Sequence, residues 1–283
     1  MILRFISLLL SSKNRISFGK FIGNLGYKMM KNRRNKSIEN LQFAFPEKSN
    51  LEIEEIARGS FQNLGITFSE LFAISSLSDN ELHSMIDFGD GIELIEKVNS
   101  RKKGMIFLSG HFGNWELIAY SVGVFTKLPI TVIVKPQANE FVDKFLNKFR
   151  TARGNKIVSM YKAAKTIINV ITNGETIALL TDQSATENKD IFVDFFNRPA
   201  ATYKVVGDLA LRYQIPIIMG FAIRQPNGKY KAELSELDFS DLENTHEGIY
   251  KLTVRHTKYL EDVIRRYPAQ WVWMHNRWKH KPK

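Results

Sequence analysis

Apolar residues follow two alternating rhythms along most of this chain. Short apolar runs bounded by turn residues, at 105–109, 129–134, 176–181, 191–194, 216–222 and 229–234, read as strands. Most are separated by stretches with helical spacing, at 114–125, 140–151, 162–172 and 203–213. Two longer helices are expected outside this series. The first, 51–74, carries Ile53, Ile56, Leu64, Phe68, Leu71 and Phe72; the second, 247–266, carries Ile249, Leu252, His256, Leu260, Val263 and Ile264. A shorter helix, 37–45, stops before Pro46. Alternating β and α units predict an α/β fold, a mixed, mainly parallel sheet flanked by helices. No internal repeat or linker interrupts the pattern, so 35–283 is expected to form one α/β domain after an N-terminal segment, 1–34.

That segment has its own pattern. Residues 1–10 are apolar apart from Arg4 and Ser7, far short of the roughly 20 apolar residues of a spanning helix. No small-x-small cleavage site follows before Lys13 and Arg15. Next, Phe18, Phe21, Ile22, Leu25 and Met29 fall on one helical face, with Lys20, Lys28 and Lys31 off it. This predicts an amphipathic, membrane-contacting helix, its apolar side among acyl chains and its lysines at anionic headgroups. The alternative is that the stripe packs on the domain core.

Charge sharpens this picture. The 283 residues carry a formal net charge of +11, with basic clusters at 28–36 and 277–283. Candidate partners are nucleic acid, anionic lipid or an acidic protein. No zinc-finger spacing or RNP-type pattern accompanies the clusters, so nucleic acid is not expected. There is no cysteine, which excludes disulfides, thiolate metal sites and a cysteine nucleophile. No metal-ligand spacing, Walker A loop, dinucleotide fingerprint or G-x-S-x-G elbow occurs, and no metal or cofactor is expected.

The candidate chemistry centres on His111-Phe112-Gly113-Asn114-Trp115-Glu116, between the strand 105–109 and the helix after it. Asn114 suits an N-cap. His111 should sit in the turn, at the carboxyl edge where open α/β sheets gather ligands. From there its ring can fold back to Glu116, which would hold one ring N–H and leave the other nitrogen to take a proton from a hydroxyl. Asp182-Gln183 ends another strand at the same edge and is expected to line the site. Arg153 can hold a phosphate or an oxyanion, while a lone arginine equally suits a surface salt bridge. Phe195 and Phe196 can line a groove or form a buried strand end, and Asp194 is a candidate second carboxylate. Glu70 suits either a site or a solvated helix face.

The H-x4-E motif at His111 and Glu116 resembles that of the glycerolipid acyltransferase superfamily. More narrowly, the chain resembles the late acyltransferases of lipid A biosynthesis, the lauroyl/myristoyl transferases. Arg153-Gly154, Thr181-Asp182-Gln183, Phe192 to Phe196 with Pro199 to Thr202, and Tyr267 to Trp273 with Arg277 resemble family blocks in the family's order. The likeness runs from about residue 35 to the end. It implies a glycerolipid-acyltransferase-like fold and an O-acyltransferase. The implied donor is acyl carrier protein, and the implied acceptor is a phosphorylated glycolipid, the lipid A precursor. His111 and Glu116 would be catalytic, with Arg153, Asp182, Gln183 or Asn114 binding substrate or oxyanion. The implied location is the cytoplasmic face of the bacterial inner membrane, peripheral or monotopic. Family members commonly carry a longer N-terminal membrane helix. The alternatives are acylation of another membrane lipid, such as a phosphatidylinositol mannoside or lysophospholipid, and a non-catalytic basic membrane-surface binding protein.

Overall fold

The computed structural model describes residues 10–185 and 191–282. All of the apolar start except Leu10 therefore lies outside the described residues. In chain order the elements are α1 (Ser12–Met29), α2 (Lys31–Ala44), α3 (Asn50–Ile74), α4 (Asp79–Met85), β1 (Ile86–Asp87), α5 (Gly91–Asn99), β2 (Met105–Ser109), α6 (Trp115–Phe125), β3 (Ile130–Val134) and α7 (Glu140–Arg150). Then follow β4 (Lys156–Ser159), α8 (Ala163–Thr172), β5 (Thr176–Leu180), β6 (Ile191–Asp194), β7 (Pro199–Thr202), α9 (Val205–Tyr213), β8 (Ile217–Arg224), β9 (Tyr230–Leu237) and α10 (His246–Arg266).

Seven strands form one sheet in the order β1-β9-β8-β2-β5-β3-β4. β8, β2, β5, β3 and β4 run parallel; β9 is antiparallel to β8. The expected α/β class and mainly parallel sheet are what the chain adopts. The run at 191–194 does not join the sheet. It pairs with β7 in a separate antiparallel ribbon. Sequence reading also passed over β4, whose four residues are mostly half-buried and follow a glycine turn with no strong apolar run.

Side-chain alternation divides the core by sheet face. Ile106, Leu108, Ile177 and Leu179 pack on one side with α8, α9 and α10. Met105, Phe107 and Ala178 face the other side, with α5 and α6. The strand order turns back at β2 and β5. The chain leaves β2 for β3, returns to β5, and later adds β8 on the far side of β2. The carboxyl ends of β2 and β5 thus meet at a topological switch point, where such sheets open a crevice.

The long helix α3 starts with a capping box, Ser49 with Glu52. It carries α1 along its outer side. Contact there is backbone to backbone. A Cβ on Gly19 would stand 2.4 Å from the Ile66 Cα, and one on Gly65 2.2 Å from the Gly19 oxygen. Arg15, Gly19, Gly23 and Tyr27 face inward. The stripe expected to be apolar is on the other side, with Phe21, Leu25 and Met29 at 64%, 46% and 70% exposure. The boundary expected at residue 34 falls inside α2. Among the described residues, no helix is long and apolar enough to cross a membrane.

Candidate active site

The strand register builds the centre of the site. Ser109 at the end of β2 pairs with Leu180 at the end of β5. His111 and Asp182 each lie two residues beyond, so both emerge at the same level, side by side. The His111 ring meets the Asp182 carboxylate, Nδ1 to Oδ1 at 2.8 Å. Asp182 Oδ2 accepts the His111 backbone N–H at 2.8 Å and the Trp271 indole N–H at 2.9 Å. Both carboxylate oxygens are thus engaged. The carboxylate fixes the proton on Nδ1 and leaves Nε2 as the free base.

Electrostatics agree with this pairing. Burial opposes a charged His111 ring, but the Asp182 charge and hydrogen bond outweigh it and raise the pKa above its usual 6.5. Burial likewise opposes an ionised Asp182. The His111 charge and the hydrogen bonds from His111 and Trp271 win, bringing it down to about 2.

The turn that carries His111 is fastened at every amide. Phe112 N donates to Gly110 O, Gly113 N to Gln270 O, and Asn114 N to Ala222 O. Gly113 has φ +55, and a Cβ there would lie 1.8 Å from the Ala222 oxygen, so only glycine fits. These amides are therefore unavailable as an oxyanion hole. Asn114 is buried and caps α6, its Oδ1 accepting from Leu117 N at 2.9 Å. Its amide donates to Glu70 Oε2 at 2.8 Å. Glu70 is itself 2% exposed, accepts from the Tyr230 hydroxyl and pairs with Arg224 at 3.1 Å. Asn114 is thus committed to holding the turn rather than free for substrate.

Several expectations give way to this geometry. Glu116 does not grip the His111 ring. It lies on the first turn of α6, where Arg150 binds both its oxygens, at 2.9 and 2.5 Å, and Trp115 Nε1 donates at 3.2 Å. Its charge still reaches the imidazole and favours the protonated form. Arg153 is engaged in a surface pair with Asp79 and with the Leu77 carbonyl. Arg150, the last residue of α7, lines the cavity where Arg153 does not. Asp194 is exposed on β6 and is not among the residues that line the cavity. Phe195 and Phe196 are buried with Trp271, Trp273 and Trp278 in an aromatic core and line no groove.

Gln183 stays with His111. Its amide nitrogen stands 3.4 and 3.5 Å from the two ring nitrogens. A group so nearly equidistant lies over the ring face, since an in-plane partner favours one nitrogen. The amide is therefore available to a third group beside the base.

These residues open onto a cavity of about 930 Å³. Its floor is a row across the sheet, Phe107 paired with Ala178 and Ala178 with Val132. Leu71, Ile74 and Ile118 complete an apolar interior, while His111, Glu116, Arg150 and Gln183 supply polar groups. A hydrocarbon-lined space ending at a histidine–aspartate pair suits an acyl chain whose reactive head stops at the base.

The model of the family described as bacterial lipid A biosynthesis acyltransferase matches residues 1–280. The chain belongs to this family. Among its curated relatives is the lipid A biosynthesis lauroyltransferase of Escherichia coli K12, 26% identical over 93% of this chain and 84% of the relative. The lipid A biosynthesis acyltransferase of Haemophilus influenzae is 23% identical over 97% of this chain and 83% of its own length. The lipid A biosynthesis palmitoleoyltransferase of Escherichia coli K12 is 22% identical over 93% and 84%. The protein is accordingly an acyltransferase, and its family acts in lipid A biosynthesis.

Sequence reasoning missed the roles of Arg150, Trp271, Arg224 and Tyr230. Trp271 stands in a block that resembles the family, but nothing local marks it as a partner of Asp182.

Proposed function

We propose that this enzyme moves a fatty acyl chain from an acyl carrier protein thioester to a hydroxyl of a lipid A precursor. The observation that carries this reading is the His111–Asp182 pair at the mouth of a hydrocarbon-lined cavity. The donor's chain fills the apolar interior, placing its thioester carbonyl near His111. The acceptor hydroxyl gives its proton to His111 Nε2 as its oxygen attacks the carbonyl carbon. Asp182 and, at longer range, Glu116 stabilise the imidazolium. Collapse of the tetrahedral intermediate breaks the carbon–sulfur bond, and the thiolate recovers the proton from His111. Donors for the oxyanion are the Gln183 amide and the Arg150 guanidinium, since the turn's own amides are engaged.

The same reading puts the enzyme on the cytoplasmic face of the inner membrane. The exposed stripe of Phe21, Leu25 and Met29 beside the basic run supports contact with an anionic surface. The test of the reaction is incubation of purified protein with acyl carrier protein thioester and a panel of acceptors. The panel holds the lipid A precursor, a lysophospholipid and a phosphatidylinositol mannoside, with free thiol and acylated product measured together. Acylation of the lipid A precursor alone supports the proposal. Thioester turnover with another acceptor only would reassign the substrate, and none with any acceptor would leave a binding protein.

A further inference from the structure

The cavity has a second, polar flank that the acyl chain does not explain. Arg33, in the first turn of α2, lines it together with His275 and Gln183. Arg33 Nη1 donates to the Met274 carbonyl at 3.3 Å, which holds the guanidinium one residue from His275. Several arginines near the surface are matched to carboxylates, among them Arg101 with Glu236, Arg255 with Asp241 and Arg266 with Glu233. Among the described residues, Arg33 has no carboxylate partner. His275 Nε2 accepts the Ser184 N–H at 3.0 Å, so its ring proton is on Nδ1, where no acceptor among the described residues meets it. Ser184 adjoins Gln183, whose amide lies over the His111 ring. A cation, a neutral N–H donor and an amide therefore lead from the rim of the cavity to the base.

We infer that Arg33 and His275 form an anion subsite that holds a phosphate ester of the acceptor while its hydroxyl reaches His111. A planar guanidinium binds two oxygens of such a group, and a tetrahedral phosphate keeps a further oxygen for the imidazole N–H, which a carboxylate does not. This rests on the acyl-transfer reading above. The phosphate-bearing groups that can reach this rim are the acceptor and the donor's pantetheine arm, and the experiment separates them.

Arg33→Ala and Arg33→Lys are compared with wild type in detergent, using a phosphorylated glycolipid acceptor and the same acceptor dephosphorylated. Donors with and without a phosphate on the pantetheine arm are each used. Arg33 is exposed, and thermal melts confirm folding. For Arg33→Ala the expected result is a KM for the phosphorylated acceptor raised about ten- to a hundredfold, the range of a hydrogen bond to a charged group. The KM for the dephosphorylated acceptor should not move, and Arg33→Lys should recover part of the loss. Equal loss on both acceptors overturns the subsite, leaving Arg33 as a brace for Met274. A loss that follows the donor's phosphate overturns it in favour of the donor. Equilibrium binding of the two acceptors without donor repeats the comparison free of chemistry. Wild type binding both alike also overturns the subsite. Discrimination in binding with no transfer by wild type supports the subsite and rejects the acyl-transfer reading alone.

Discussion

Replacing Asp182 by Asn keeps the shape of the side chain and reverses one hydrogen bond. The Oδ2 position accepts two N–H groups, from the His111 backbone and Trp271. The amide oxygen of Asn must occupy that position. The amide NH₂ then faces His111 Nδ1 and donates where Oδ1 accepted. The ring is driven to the other tautomer, with its proton on Nε2, the nitrogen that takes the acceptor's proton in the proposed reaction. General-base catalysis contributes roughly 10²–10⁴-fold, or about 3–5 kcal/mol of barrier, so folded Asp182→Asn should lose most of that rate. The pH profile should move as well. In the proposed reaction the ring must lose its proton to act, and its pKa is raised above 6.5, so kcat/KM should rise with pH and reach half its plateau only above that value. Asp182 is the main group holding that pKa up against burial. Its neutralisation should shift the acid limb of the residual activity to lower pH. The assay is the initial rate of thiol release with product measured across the titration range of histidine, alongside near-UV dichroism to verify packing. A folded Asp182→Asn enzyme with a rate within about threefold of wild type, or an unmoved acid limb, would refute the assignment of Asp182 as the partner of the base.

Further outcomes follow from other parts of the site. Glu116→Gln should slow transfer by about tenfold or more and shift the acid limb less than Asp182→Asn, because its charge acts on the imidazole without a hydrogen bond; rates and pH profiles of the two variants check this. Asn114→Ala removes the α6 cap and a donor to buried Glu70, which together should cost roughly 2–4 kcal/mol in denaturant titrations. Ala119→Phe, on the cavity wall, should depress kcat/KM for long-chain donors more than for short ones, since each methylene denied burial forfeits about 0.8 kcal/mol; competition between donors of two lengths reads the ratio. Changing Phe21, Leu25 and Met29 together to Ser should weaken co-sedimentation with anionic vesicles and leave the melting temperature near wild type, because that face touches no core.

His111 and the cap at Asn114 were legible because a strand, a glycine and a helix start are local patterns. The partner of the base was not. Glu116 is near His111 in sequence, whereas Asp182 is 71 residues away and reaches it only through the register of β2 with β5. Periodicity finds strands and says nothing of which strand lies beside which. Arg150 and Arg153 stand three positions apart, and only the end of α7 at Arg150 decides which lines the cavity. The face of α1 that packs was readable in principle. Gly19 and Gly23, four residues apart, mark a close helix approach with Gly65 on α3, a stronger signal for contact than the apolar stripe. Phe195 and Phe196 show the limit of composition alone, since aromatic density marks a core as readily as a groove.

The fastening of the His111 turn by Gln270, Trp271 and Val272 bears on biosynthesis. During translation, β2, α6 and β5 leave the ribosome well before residues 267–278. A nascent chain can then pair its strands and bury its apolar faces, but Asp182 lacks its indole donor and Gly113 N its carbonyl. The base remains loosely held until the last tryptophans arrive. The tail that fastens the turn is also the one whose Trp271, Trp273 and Trp278 complete the core, so the site and the last of the core close together, after α10 has been made.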